Sequence, residues 1–497
     1  NVNPITRLDY PDPDVIRVED TYYMVSTTMH FMPGCEILQS FDLVHWEHVT
    51  YVYETLDHTD AQQLKSGQNI YGQGMWAASL RYHEGRFYIC FVANDTRKTY
   101  LYTSEKIDGP WKKQLIEGFY HDGSLLFDED GRNYIVYGND EIWITELNED
   151  LTAPKKDGLH RLLVSDHKNP ELGYEGSHIQ KINGYYYIFL VHSLRDRWMR
   201  TEACFYSDSL EGEFTGGDVL CDDRGYCGQG VAQGGIVDTP DGKWYAMLFQ
   251  DSGAVGRIPI LLPVTWKDHF PFFGQNGHVP EEIEVHSTRP GYIYQPLVGS
   301  DDFCNGLLPR WQFNHDPDPR YYHLDALQGT YTITTREVCT ELTQAVNTLT
   351  QRMSYPSCAA EVTVDASALK EGDVAGLCAL QGCYAAVGIT KHHGKYEVLM
   401  LDKKEDGILD MTEGTVVESH QMDFRLEADF CNMKDEARCY YRVNKGDWLP
   451  IGTVHKLYFK LDHFTGCRFG LFCYAAEETG GSACFRDFKY YDVDEIS

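Results

Sequence analysis

The chain has 497 residues, too long for one ordinary core, so two domains are expected. Hydrophobic residues make up 42% and charged residues 24%, the balance of a globular protein, and no run of about 18 apolar residues is present to span a membrane. The net charge of −32 sets 75 acidic against 43 basic side chains; such a surface repels phosphate backbones and anionic lipid, which excludes nucleic acid as an expected partner.

The opening Asn1-Val2-Asn3-Pro4 is polar and is not a signal peptide, although it lacks a Met and leaves a removed leader open. The 15 cysteines are odd in number and lack CxxC pairs, and several sit in apolar runs such as Tyr88-Ile89-Cys90-Phe91-Val92. That pattern reads as free thiols in a reducing compartment. A bacterial cytoplasmic location is expected, with secretion left open. No zinc spacing or HExxH occurs.

Long helical periodicity is absent, and short β-branched and aromatic runs bounded by Gly, Asp and Asn dominate. Five of these runs match one another, at 15–25, 79–90, 124–136, 178–189 and 235–247. Each reads as a strand, a tight turn and a second strand with an aromatic start. Four turns use Glu84-Gly85, Asp130-Gly131, Asn183-Gly184 and Asp241-Gly242, which is hairpin chemistry. The second-strand tyrosines Tyr23, Tyr88, Tyr134, Tyr187 and Tyr245 are 65, 46, 53 and 58 residues apart. That spacing suits one four-stranded propeller blade per copy. The runs 40–46 and 104–111, each ending in Trp, are expected as outer strands of the first two blades. Segment 252–296 should close the last blade and then act as connector. From Ser300 onward the repeat is gone and short alternating strands continue. The expected fold is all-β: a five-bladed β-propeller over 1–295, then a β-sandwich of jelly-roll, concanavalin-like type over 296–497.

Counting back twelve residues from the anchor tyrosines reaches Trp76, Asp122, Glu175 and Gln233; the shorter first turn makes it eleven, at Asp12. The innermost strand of each blade surrounds the axis, so this one register position predicts Asp12, Asp122 and Glu175 facing one another in an axial pocket, with Trp76 as a wall. A single Asp before a strand is ordinary turn chemistry. Three acids in one register position would repel one another, which points to use. Two carboxylates flanking a bound sugar are the machinery of glycoside hydrolysis, and a third nearby would raise the pKa of the acid and orient it.

Tyr10-Pro11-Asp12-Pro13-Asp14 with the strand that follows, His121-Asp122-Gly123-Ser124-Leu125, and Tyr174-Glu175-Gly176-Ser177-His178 together resemble glycoside hydrolase family 43. The likeness is to its two-domain β-xylosidase and α-L-arabinofuranosidase members. The resemblance implies an inverting mechanism with Asp12 as general base, Glu175 as general acid and Asp122 as the residue that tunes and positions the acid. It also implies a substrate-binding Arg257, walls from Trp76 and Phe31, and a loop lent by the sandwich to close the pocket. Many members carry His in the fifth-blade slot, sometimes tied to a central calcium or water cluster; Gln233 stands there in this chain, an amide that can still hydrogen-bond a sugar or a water but puts an axial calcium in doubt. No cofactor is expected to be required. His178 does not make a metal site by itself, and a structural calcium, for example near Asp301-Asp302, is left open.

The expected activity is exo-release of xylose from the non-reducing ends of xylo-oligosaccharides, with dual activity open. The alternatives are an α-L-arabinofuranosidase trimming arabinoxylan and a non-catalytic sugar-binding propeller. Homo-oligomerisation is left open.

Overall fold

The computed structural model describes residues 2–458 and 464–496. Almost all of its regular structure is strand; the α-helix Val493–Ile496 is one turn long, and among the described residues no helix is long and apolar enough to cross a membrane. Five separate four-stranded antiparallel sheets form the propeller. Blade I holds Asp14–Val18, Thr21–Val25, Gly34–Ser40 and Glu47–Tyr53. Blade II runs from Ser79–His83 to Lys112–Ile116, and blade III from Ser124–Phe127 to His160–Ser165. Blade IV runs from Glu175–Ile182 to Thr215–Leu220, and blade V from Ile236–Asp238 to Phe270–Phe273.

The first hairpin of each blade follows the repeat. Glu84-Gly85 and Asn183-Gly184 both turn with positive φ at the two residues, the geometry that matches the twist of the flanking strands. At Asp130-Gly131 and Asp241-Gly242 only the glycine is left-handed, and the loops are longer: the Asp128 N–H bonds the Arg132 carbonyl, and the Thr239 N–H bonds the Lys243 carbonyl.

One expectation is corrected. The runs 40–46 and 104–111 are not outer strands; the third strands end at Ser40 and Ser104 and the fourth begin at Glu47 and Lys112. The side chains explain it. Ser40 Oγ accepts the Leu43 N–H at 2.9 Å, Asp42 Oδ1 accepts those of Val44 and His45, and Ser104 Oγ accepts that of Lys106. Such local bonds compete with a strand ladder and favour a turn.

The ring is closed by the N-terminal segment. Backbone bonds from Ile5 to Pro259 and from Tyr10 to Arg257, and a pair between the Asn3 amide and the Leu261 backbone, lay residues 3–10 on the third strand of blade V, Arg257–Lys267. After Phe273 the chain crosses back over blade I, where the Tyr294 hydroxyl accepts the Phe41 N–H and Glu47 accepts that of Gln295. The expected 295/296 boundary falls in this connector.

The second domain packs a nine-stranded sheet on a seven-stranded one. Both faces contribute to one core, with Trp311, Tyr331, Leu377, Phe424, Phe469 and Phe485 at most 1% exposed. The nine-stranded sheet includes a strand from the propeller: Phe31–Met32 pairs with Gln312–Asn314, Met32 opposite Phe313. Next to it Arg352 bonds Glu36 at 3.1 Å, both nearly fully buried, and its Nε bonds the Asp9 carbonyl at 2.8 Å. His48 holds the other Glu36 oxygen at 2.7 Å. The two domains therefore share a sheet and a buried ion pair.

Removing one partner of a buried pair is costly because the other charge stays desolvated. Arg352→Met is expected to lower stability by about 3–5 kcal/mol, read as a lower urea midpoint, and adding Glu36→Gln should recover part of the loss. An unchanged midpoint in the single variant would contradict the pairing.

Candidate active site

The five slot residues converge. Asp12, Trp76, Asp122, Glu175 and Gln233 line one cavity of about 250 Å³, together with His121, Arg257 and others. That volume lies at the small end of ligand pockets and suits one sugar ring better than a chain. Asp12, Asp122 and Gln233 adopt positive φ of 54°, 48° and 69°. Residues other than glycine avoid this region, and three in one register position indicate backbone held out of its preferred state at the site. Glu175 opens the first strand of blade IV, where the register with the second strand shifts between Glu175 and His178. Gly176 follows with φ of 65°; a Cβ there would lie 2.7 Å from Gln233 Cγ, so the close approach of these two blades requires glycine.

Asp12 is only 4% exposed and accepts three side-chain bonds. Thr27 Oγ1 donates to Oδ2 at 2.6 Å, while Gln233 Nε2 and Arg257 Nη1 both donate to Oδ1 at 2.9 Å. The Pro11 carbonyl accepts the Thr27 N–H, so the strand end and the acid are tied to the same threonine. Burial pushes the Asp12 carboxyl above the usual range; Arg257 and Thr27 oppose it, and Asp122 and Glu175 add to it. The net direction is upward because desolvation outweighs the donors that favour the charged form.

The second cluster is separate. His121 Nε2 lies 3.1 Å from Glu175 Oε2 and 3.2 Å from Asp122 Oδ2. Asp122 Oδ2 also accepts the Gly176 N–H at 2.8 Å. Burial acts to raise Asp122, but His121, the Gly176 N–H and His178 outweigh it and hold the carboxyl below its ordinary value. Burial lowers His121, and the two carboxylates more than reverse that, so its imidazole sits well above the normal histidine range. Among the described residues Glu175 Oε1 has no hydrogen-bond partner, and its side chain is 21% exposed, toward the cavity it lines.

Arg257 and Arg200 form the third group. Both are buried and share Asp251: Arg200 Nη1 pairs with one oxygen, and Arg257 Nε lies 3.4 Å from the other. The Arg257 guanidinium also lies over the rings of Phe249 and Phe464, each 4.7 Å from the centroid. Phe464 belongs to the second domain, and its ring meets the edge of Trp76 at 5.5 Å. The sandwich thus supplies one wall of the cavity.

Phe31 is a correction. Its ring is 2% exposed and packs with Leu342, Tyr384 and Phe472 of the sandwich, under the Arg468 guanidinium at 3.5 Å. It leaves the cavity because its backbone is the strand given to the second domain. Sequence reasoning did not assign His121, Asn139, Leu172, Trp198, Arg200 or Phe464, all of which line the cavity. It also did not assign Glu202, which is fully buried beneath Gln233 and accepts its N–H at 2.9 Å. Burial pushes the Glu202 carboxyl well above its ordinary value, against the pull of the Gln233 N–H.

At Asp301-Asp302, suggested for calcium, the oxygens face protein donors: Asp301 accepts from Trp311 Nε1 and the Phe303 N–H, and Asp302 from the Cys304 N–H. His178 Nδ1 bonds Asp14 at 3.0 Å.

Comparison with known proteins agrees with this geometry. The family description "Glycosyl hydrolases family 43" matches residues 2–271, and "Beta xylosidase C-terminal Concanavalin A-like domain" matches 300–491. A β-xylosidase of Formosa agariphila is 27% identical across 99% of this chain and 89% of its own. A solved structure described as a bifunctional GH43-CE from Bacteroides eggerthii is 42% identical with a TM-score of 0.92. The match covers 99% of this chain and 63% of that one, so this chain spans just under two-thirds of that relative's length. A GH43 enzyme engineered to display endo-xylanase and exo-arabinofuranosidase activity is 27% identical over 99% of both chains, with a TM-score of 0.86. With three acids in register on the propeller axis and both of its domains matched, this chain belongs to glycosyl hydrolases family 43 and is a glycoside hydrolase.

Proposed function

We propose that this hydrolase is an inverting exo-β-xylosidase that removes single xylose units from the non-reducing ends of xylo-oligosaccharides. The observation that carries the reading is the contrast between two acids lining one small cavity. Asp12 accepts three donors, one of them a guanidinium, and all three favour its ionised form. Glu175 has an oxygen free toward the cavity and an anionic neighbour, Asp122, one imidazole away. Groups whose surroundings differ this way divide the roles of base and acid between them.

In this mechanism Asp12 takes a proton from a water that attacks the anomeric carbon. Glu175 gives a proton to the glycosidic oxygen as that bond breaks, from the opposite side of the ring. Asp122, fixed by the Gly176 N–H, holds His121 and through it the orientation of Glu175. Arg257 keeps Asp12 ionised, and Trp76 and Phe464 offer aromatic surface to the sugar. The small cavity, walled by the second domain, supports removal of one residue at a time. The names of the relatives support a pentoside substrate, and the engineered relative's exo-arabinofuranosidase activity favours a second reading, removal of α-L-arabinofuranose. All 15 cysteines are free, which supports work in a reducing compartment.

Parallel rates on p-nitrophenyl β-xyloside and α-arabinofuranoside test the substrate. The xyloside should be turned over faster; a much faster arabinoside would move the assignment to the second reading. Glu175→Gln should cut kcat on xylobiose by about 10²–10⁴-fold, with a smaller loss on the aryl xyloside, whose leaving group needs little protonation. Equal losses on both substrates would remove Glu175 from the acid role.

The base sets the low-pH side of the profile. Asp12 acts ionised, so kcat/KM falls as pH drops through its pKa, which burial places above the ordinary carboxylate value. Arg257 favours the charged form, so Arg257→Gln should move the acid limb up by about one to three pH units, and Arg257→Lys should restore most of it. A limb that stays in place in Arg257→Gln would contradict Asp12 as the base.

A further inference from the structure

We propose that His121 Nε2, Asp122 Oδ2 and Glu175 Oε2 form a seat for a divalent transition-metal ion of the zinc type, and that the ion switches hydrolysis off by occupying the general acid. The inhibition, though not the binding, rests on the reading of Glu175 given above.

The geometry points to an ion because one nitrogen faces two carboxylate oxygens at nearly equal range, 3.1 and 3.2 Å. A single N–H directs its hydrogen at one acceptor and leaves the other poorly served. A tetrahedral ion about 2.0–2.1 Å from nitrogen and about 2.0–2.2 Å from oxygen separates such donors by about 3.3–3.5 Å. The three donor atoms all lie within 4.8 Å of one another, so the two carboxylates need to close by at most about 1.5 Å between them to hold one ion. The donors are also braced. Asp122 Oδ2 accepts the Gly176 N–H, and the His121 ring meets the edge of Trp76 at 5.9 Å between centroids. Partners of this kind orient metal ligands.

The donor set selects the ion. One imidazole and two carboxylates suit Zn²⁺ and its neighbours, Co²⁺, Ni²⁺ and Cu²⁺. Ca²⁺ requires six to eight oxygens and Mg²⁺ keeps several waters in an octahedral shell, so neither is served by this trio. Three protein ligands leave a fourth position open toward the cavity, where water or a sugar hydroxyl completes the shell. With Oε2 bonded to a cation, the Glu175 carboxylate is held ionised and cannot carry the proton that the leaving oxygen needs.

The test uses the full chain with Zn²⁺ and, separately, Co²⁺. Calorimetry should show a Zn²⁺ site that Ca²⁺ and Mg²⁺ do not fill, weakened at least about tenfold in His121→Gln and in Asp122→Asn. Because exposed thiols such as Cys221 and Cys431 also take zinc, the Co²⁺ spectrum of the unaltered chain serves as the independent reading. It should show visible d–d bands without a thiolate charge-transfer band, and free xylose should perturb them. Zn²⁺ should inhibit hydrolysis, and a chelator should restore it. Cobalt bands that carry only thiolate character, or zinc affinity unchanged in both variants, would overturn the proposal. Zinc bound at this trio by a chain that hydrolyses no xyloside would sustain the seat and sink the functional reading instead.

Discussion

The two oxygens of Asp9 join the parts of the active site that come from different domains. Oδ1 accepts the Arg257 N–H at 2.7 Å, and Oδ2 accepts the Gly466 N–H at 2.8 Å. Arg257 begins the blade V strand that reaches Asp12, and Gly466 lies two residues beyond Phe464. One buried carboxylate thus sets the arginine that charges the base and the ring that walls the cavity. The packing there leaves no slack: a Cβ on Gly466 would lie 2.0 Å from the Val255 carbonyl, and one on Gly256 would lie 2.2 Å from Asp9 Oδ1. Burial raises the Asp9 carboxyl against the pull of those two N–H groups and of Arg352 and Arg468, the cost of placing the acid where water cannot reach it.

The rest of the interface repeats this logic. The propeller gives the strand Phe31–Met32 to the sandwich, and the sandwich returns Arg352 to Glu36 and Phe464 to the cavity. A propeller alone would present the three acids in an open axial depression. The second domain converts that depression into a pocket with a side wall, which supports the proposed removal of sugars one at a time from a chain end.

What was legible in the chain was whatever repeats. Five hairpins index the same position five times, so Asp12, Trp76, Asp122, Glu175 and Gln233 could be aligned without coordinates, and all five line the cavity. Residues outside the period were not readable in this way. His121 lies one residue off the slot. Trp198 lies in the irregular stretch after the second strand of blade IV, and Arg200 opens the strand that follows it, as Arg257 opens the corresponding strand of blade V; neither stretch belongs to the repeated hairpin. Phe464 arrives from a domain with no repeat. Phe31 misled because the family resemblance implied a pocket wall there, whereas its two-residue strand completes the edge of another sheet. The outer strands of blades I and II were placed too early because Ser and Asp side chains turn the chain where an aromatic run suggests extension.

In the proposed mechanism Asp12 is a base for water rather than a nucleophile toward carbon. The stereochemistry of the first product distinguishes these outcomes most directly. Proton NMR of p-nitrophenyl β-xyloside hydrolysis, followed through the first minutes before mutarotation, should show α-xylose appearing first. If β-xylose appeared first, configuration would be retained, and the division of labour between Asp12 and Glu175 would be wrong.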